Sequence, residues 1–198
     1  MGQFSFARMF ALVVLWAVVA MTSAIARAGE YRGVLINMVP HVEAKPGFEG
    51  EACAAMVLER MGTKLDQDFV FDQSGVDPAF GRGCNLAELK LAMERIGFVV
   101  GQVWFAPSPD RPRDDLDSQF SALHADLSKG VPSIVEMRKD LDGDEKRFRL
   151  LLGYDDDRDE VIYHEPQEKS GAFSRMTREE LLKLWPIKQG DTMLVARM

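Results

Sequence analysis

Along this chain the apolar pattern changes period once, and the order of that change limits the folds open to it. In the first half apolar residues recur at helical spacing, through Glu49 to Met61, Asp66 to Asp72 and Leu86 to Ile96. Gly62 and Gly97 stop two of these helices, and Asn85 is placed to cap the last. After Gly97 the runs shorten to strand length at Phe98 to Phe105, Ser133 to Met137, Phe148 to Tyr154, Val161 to Glu165 and Met193 to Ala196. Two helices, Leu116 to Ser128 and Thr177 to Leu184, interrupt them, and Tyr31 to Val39 reads as a strand stopped by Pro40. Helices followed by strands, without regular alternation, predict an α+β domain and not a doubly wound sheet.

A length of 198 residues fits one such domain. The first 28 residues carry no acidic side chain and two basic ones, Arg8 and Arg27, around an apolar stretch from Met9 to Met21. That stretch is shorter than the roughly 20 residues a membrane span needs, and it ends in small residues, Ala24-Ile25-Ala26 and Ala26-Arg27-Ala28. It reads as a secretory signal peptide cut after Ala28, leaving residues 29–198 as a single exported domain with no stable membrane span, periplasmic or secreted. Acidic residues outnumber basic ones, 31 to 24, for a net charge of −7. That sign disfavours nucleic acid, whose binding rests on phosphate neutralisation by Lys and Arg. Export also bears on Cys53 and Cys84, since an oxidising compartment lets a pair close a disulfide. A bridge between them is the expectation; a buried free thiol and a reactive nucleophile are the alternatives.

The run Phe48-Glu49-Gly50-Glu51-Ala52-Cys53-Ala54-Ala55-Met56, followed by Gly62, resembles the nucleophile helix of papain-like cysteine peptidases. It is most similar to the bacteriocin-leader-processing type, peptidase family thirty-nine. In that family the helix opens with Cys-Gly-Pro or Cys-Gly-Glu and then Ala, with a methionine seven residues after the cysteine; counting back from Met56 lands on Glu49. The family strand His-Phe-x-x-x-x-Gly-Tyr-Asp is matched by Arg147-Phe148 through Gly153-Tyr154-Asp155, with Arg147 at the histidine position. An Asp or Asn before proline is matched by Glu165-Pro166, and the oxyanion-hole glutamine position falls on Glu43, or on Ala44 if the loop is one shorter. The resemblance runs from Val34 to Trp185 in family order. It implies a papain-like α+β fold with N-terminal helices packed on a C-terminal antiparallel sheet.

It also implies a lost reaction. Thiol catalysis needs a thiolate, a base to make it and donors for the developing oxyanion. Glu49, Arg147 and Glu43 supply none of these, because a guanidinium with a pKa above about 12 is no general base at neutral pH. The replacements are nonetheless matched in charge. Glu49 and Arg147 are expected to form a salt bridge, with Glu165 on the other side of the guanidinium, so that Arg147→Ala destabilises more than Arg149→Ala.

The histidines His41, His124 and His164 are isolated in sequence without the spacing of a helical metal site, and no metal or other cofactor is expected. The acidic run Asp140 to Glu145 reads as a solvated hairpin turn. The expected function is an exported peptidase-like domain without catalysis, whose cleft, with Glu49, Arg147 and Glu165, binds an extended peptide or protein segment. Two other readings stay open, an active cysteine peptidase or thiol hydrolase using Cys53 and a structural subunit of an envelope assembly.

Overall fold

A computed structural model describes residues 31–198; the expected signal peptide, residues 1–28, lies outside the described residues. Among the described residues five α-helices and eight strands follow one another, in two groups. The first group is α1 (Glu49–Arg60), α2 (Gln67–Ser74) and α3 (Leu86–Ile96), preceded by the two-residue strand β1 (Val34–Leu35). The second is β2 (Trp104–Phe105), α4 (Pro112–Ser128), β3 (Ser133–Arg138), β4 (Lys146–Asp155), β5 (Glu160–His164), β6 (Ser174–Thr177), α5 (Arg178–Leu184), β7 (Pro186–Gln189) and β8 (Thr192–Arg197). All strands belong to one antiparallel sheet in the order β2-β8-β3-β4-β5-β6, with β1 on β4 and β7 on β8. The architecture is α+β, as the change of period predicts.

Local chemistry accounts for the helix ends. Asn85 and Glu88 form a capping box at the start of α3, and Thr177 with Glu180 does the same for α5. Helix α1 has no side-chain cap; Glu49 and Glu51 in its first turn place negative charge at the positive end of the helix dipole. Its middle is small and apolar, so it sinks into the core between α2, α3 and the sheet, with Ala52, Cys53, Ala54 and Met56 fully enclosed. Gly50 permits that depth: a Cβ there would sit 3.2 Å from a Leu89 methyl and 3.3 Å from the Phe148 ring. Gly153 does the same for β1, because a Cβ there would strike the Val34 carbonyl oxygen and lie 3.1 Å from Leu35 Cα.

Several boundaries differ from the periodicity reading. The strand expected over Tyr31 to Val39 shrinks to Val34–Leu35, and Met38 takes a left-handed conformation (φ 59°) that ends extended geometry before Pro40 is reached. The strand expected over Phe98 to Phe105 keeps only its last two residues. Helix α4 starts four residues earlier than expected, with Pro112 in its first turn, where a missing N–H costs nothing. Strands β6 and β7 escape detection because Ser174–Thr177 is mostly polar and Pro186–Gln189 is short and opens with proline, both marks of edge strands.

The expected disulfide is absent. Both cysteines are free and buried. The Cys84 N–H donates to Glu51 Oε1 at 2.7 Å, which seats Cys84 on the flank of α1 that carries Glu51. Cys53 lies two residues further along α1, about 200° around the helix, so it leaves α1 from a different flank than Glu51. Intact mass after alkylation checks this: in denaturant without reductant both cysteines should take label, whereas the native protein should label slowly at either.

Candidate functional site

The residues that the family resemblance singles out meet where α1 begins, β4 begins and the loop after β5 leaves the sheet. Glu49 is the first residue of α1 and Arg147 the second of β4. They do not pair directly. Gln167 stands between them, its Nε2 donating to Glu49 Oε1 and its Oε1 accepting from Arg147 Nη1. The second guanidinium nitrogen of Arg147 donates to Glu145 Oε1 at 3.0 Å, and Arg147 Nε is buried with no hydrogen bond among the described residues.

Glu165 belongs to a different cation. Arg149 Nε donates to Glu165 Oε2 at 2.7 Å, with both side chains under 10% exposed, and the guanidinium carbon lies 5.2 Å from the centre of the Tyr163 ring. Strand register explains the exchange of partners. β4 and β5 pair Leu150 with His164 and Leu151 with Tyr163. Continued past the end of β5, that register sets Arg149 opposite Glu165 and Arg147 opposite Gln167. The expectation that Glu165 flanks Arg147 is therefore corrected by one residue pair. Arg149 also keeps one buried donor, Nη1, without a hydrogen-bond partner among the described residues.

The polypeptide around this cluster is tied down by backbone bonds. Ala44 N–H donates to Pro166 O at 2.7 Å, His41 Nε2 to Glu165 O at 2.9 Å, and Glu165 N–H to Gly171 O at 2.8 Å. Glu43 itself is exposed, and only its carbonyl is engaged, accepting from the buried Gln67 at 3.1 Å. Gln67 takes the Lys45 N–H in return at 2.8 Å, so it holds the loop that leads into α1. Gln67, Arg149 and Gln167 are the site residues that the motif comparison missed. Only the strand register, which needs the pairing of distant segments, brings the latter two forward.

The histidines are less isolated than their spacing in sequence suggests. His41 and His164 pack edge to face with ring centres 5.4 Å apart. His164 is buried, with Nε2 on Val39 O at 3.0 Å and Nδ1 accepting from the Phe173 N–H, and burial lowers its pKa. With both ring nitrogens spent on backbone it is a neutral structural residue. Cys53, one turn along α1 from Glu49, is 0% exposed. Burial raises its thiol well above the usual range, and the negative charges of Glu165, Glu49 and Glu51 push the same way, all opposing a thiolate. Cys84 is pushed up to about 12 chiefly by burial.

Glu51 is the most confined carboxyl of the cluster. It is fully buried, with Oε1 on Cys84 N–H and Oε2 without a hydrogen-bond partner among the described residues. Burial raises its pKa above 4.5, partly offset by the backbone donor at Cys84. Chemically the site offers a carboxylate, two guanidinium groups with unspent N–H donors and a bridging amide. These are groups that bind by hydrogen bonding and charge.

The fold is similar to the peptidase domain of Streptococcus ComA, described as a bi-functional ABC transporter involved in a quorum-sensing pathway. The TM-score is 0.53 at 15% sequence identity, over 79% of this chain and 95% of that domain. At that identity the likeness shows the fold, a papain-like peptidase fold. No protein-family model matches the chain, and no curated protein sequence matches it.

Two stability experiments follow from the two buried groups. Arg149→Ala strands Glu165 in the interior and should cost about 3–5 kcal/mol in chemical unfolding. Arg147→Ala breaks contacts to the exposed Gln167 and Glu145 and should cost about 1 kcal/mol or less; this order reverses the expectation from the motif alone. For Glu51, folding raises the pKa, so the folded chain holds more protons than the unfolded one between pH 4.5 and the raised value. Stability from that proton is full at and below pH 4.5 and is lost as pH rises through the raised pKa. Wild type should therefore gain on Glu51→Gln when unfolding is compared at pH 7 and pH 5.

Proposed function

We propose that this chain is an exported papain-like domain without peptidase activity, whose former catalytic cleft binds an extended peptide or protein segment. The observation that carries the reading is the bridge from Glu49 through Gln167 to Arg147. It occupies the place where the α1 terminus meets β4, with groups that cannot run thiol chemistry. Peptide cleavage by this fold's route needs a nucleophilic sulfur at the helix start and an imidazole at the strand start. Here Glu49 opens the helix and Arg147 stands near the start of the strand. The nearest sulfur on α1, that of Cys53, is enclosed by the core and held as a thiol.

The same groups suit recognition. A peptide main chain brings carbonyl oxygens, which the Arg147 guanidinium can meet in place of Gln167, and N–H groups, which Glu49 can accept. Gln167 is exposed, so its amide is the part that yields to an incoming strand. Export is supported by the charge and hydropathy pattern of residues 1–28, and among the described residues no helix is long and apolar enough to cross a membrane.

A pool of random dodecapeptides tests the reading in two measurements on the mature chain. No cleavage should be detectable by mass spectrometry, and the peptides retained by the wild type should be lost from Glu49→Ala while the fold, followed by circular dichroism, is unchanged. Cleavage that disappears in Cys53→Ser would show the chain to be a thiol hydrolase. Retention indifferent to both Glu49→Ala and Arg147→Ala would place binding on another surface.

A further inference from the structure

Strand β8 changes neighbour along its length. Its C-terminal half pairs with β3, at Glu136 with Ala196 and Val135 with Arg197, and its N-terminal half pairs with β7 from Val195 to Thr192. The sheet forks at this change, and the fork opens a cavity of about 460 Å³ between β3, β4 and the β7–β8 hairpin. Its walls include Arg138 and Lys146 on one side and Pro186, Lys188 and Met193 on the other, with Asp144 at the turn. It shares no lining residue with the Glu49 site.

Strand alternation shows what the fork leaves unused. Ile134 exchanges both backbone hydrogen bonds with Met198 at 2.8 Å, so residues 134, 136 and 138 turn their N–H and C=O groups toward β8. The ladder stops at Glu136, and the main-chain groups of Arg138 therefore face the fork without a paired strand on that side among the described residues. Lys139 N–H donates to Glu145 O at 2.8 Å, which makes Arg138 and Lys146 the adjacent non-hydrogen-bonded pair, where side chains approach most closely. Like charges in such positions destabilise a sheet. The Arg138 guanidinium is turned to carbonyls, Lys183 O at 2.6 Å and Leu141 O at 3.5 Å. Lys146 and Lys188 make no hydrogen bond or ion pair among the described residues; the charge acting on Lys146 is that of the buried Glu136. On a chain of net charge −7, this is a basic cleft with an apolar wall and an open strand edge.

We infer that the fork is a second binding site, separate from the Glu49 cleft, and that it takes an acidic, extended peptide segment of a partner protein. The main chain of that segment adds to the β3 edge at Arg138. Its carboxylates meet Lys146 and Lys188, and its intervening apolar side chains lie on Pro186 and Met193. Edge addition supplies affinity through backbone hydrogen bonds, while the two ammonium groups select for acid. Nothing in this assignment depends on whether the Glu49 cleft binds or cleaves a peptide.

The test uses a fluorescein-labelled hexapeptide of alternating Glu and Val, with a Gln/Val hexapeptide as its neutral counterpart, in anisotropy titrations at low and high salt. The acidic peptide should bind, weaken with salt, and weaken by roughly ten-fold or more in Lys146→Glu/Lys188→Glu. The salt-sensitive component of binding that the lysine variants lose should persist in Glu49→Ala. The exposed lysines are not part of the core, and Lys146→Gln/Lys188→Gln, with an intermediate loss, guards against a folding artefact. Amide exchange at Arg138 should slow when peptide is bound. Several results would overturn the assignment: equal binding of the Gln/Val peptide, no loss in either double variant, or unchanged exchange at Arg138. Glutarate competing as well as the peptide would show a site for small dianions instead. A dimer in sedimentation that the lysine variants dissolve would show the edge to be filled by a second copy of the chain.

Discussion

The antiparallel pairing of β4 with β5 is the constraint on which the rest of the site depends. One register places Arg149 against Glu165 and Arg147 against Gln167, and from there the chain of contacts reaches Glu49 at the start of α1. A slip of one residue would turn the arginine face of β4 into the core and bring Phe148 out of it. The pairing is held by what lies on the two strands beyond the site: buried Leu150, Leu151 and Leu152 on β4, Val161 and Ile162 on β5. Polar geometry at one end of the ladder is thus set by apolar packing along its length.

Helix α1 depends on the same strand. Its small residues allow it to lie against β4 and β3, and Gly50 brings its first turn onto Phe148. This depth is why Glu51 is fully enclosed and why Cys53 cannot serve as an accessible nucleophile. The architecture that positions a helix terminus beside a strand is that of a papain-like peptidase, but the groups presented at the junction are those of a salt-bridge and amide network. Papain-like geometry does not by itself fix the chemistry at this junction, because packing residues carry the fold while a few terminal side chains carry any reaction.

Two interruptions of the sheet give the molecule its remaining character. At Gly153 the neighbour of β4 changes from β3 to β1, and at Val195 the neighbour of β8 changes from β3 to β7. The first is closed by a glycine that admits the β1 backbone. The second stays open, lined by three cations and one carboxylate, in a chain that is acidic as a whole. A sheet that forks must either fill the gap with side chains or leave backbone groups unpaired; at Arg138 the ladder to β8 has ended.

Much of the fold was legible in the residues themselves, because helix α3 with its Asn85 cap and Gly97 stop, the buried run of α1, and the apolar strands β3, β4, β5 and β8 are each written in local periodicity and capping chemistry. The short edge strands β6 and β7, and the early start of α4 at Pro112, were not legible, since polar or proline-led segments carry a weak pattern and acquire structure only from a neighbour. For the site, the motif order located Glu49, Arg147 and Glu165 at one junction but assigned the wrong partners. Ion pairing between distant segments follows from register, and register follows from cross-strand packing that no single segment encodes. The free thiols have a similar origin: two cysteines and an export-like leader suggest a bridge, yet which side of α1 each cysteine occupies is decided only when the helix packs. Local sequence thus determined the elements and their chemistry, and tertiary packing decided which of those chemistries meet.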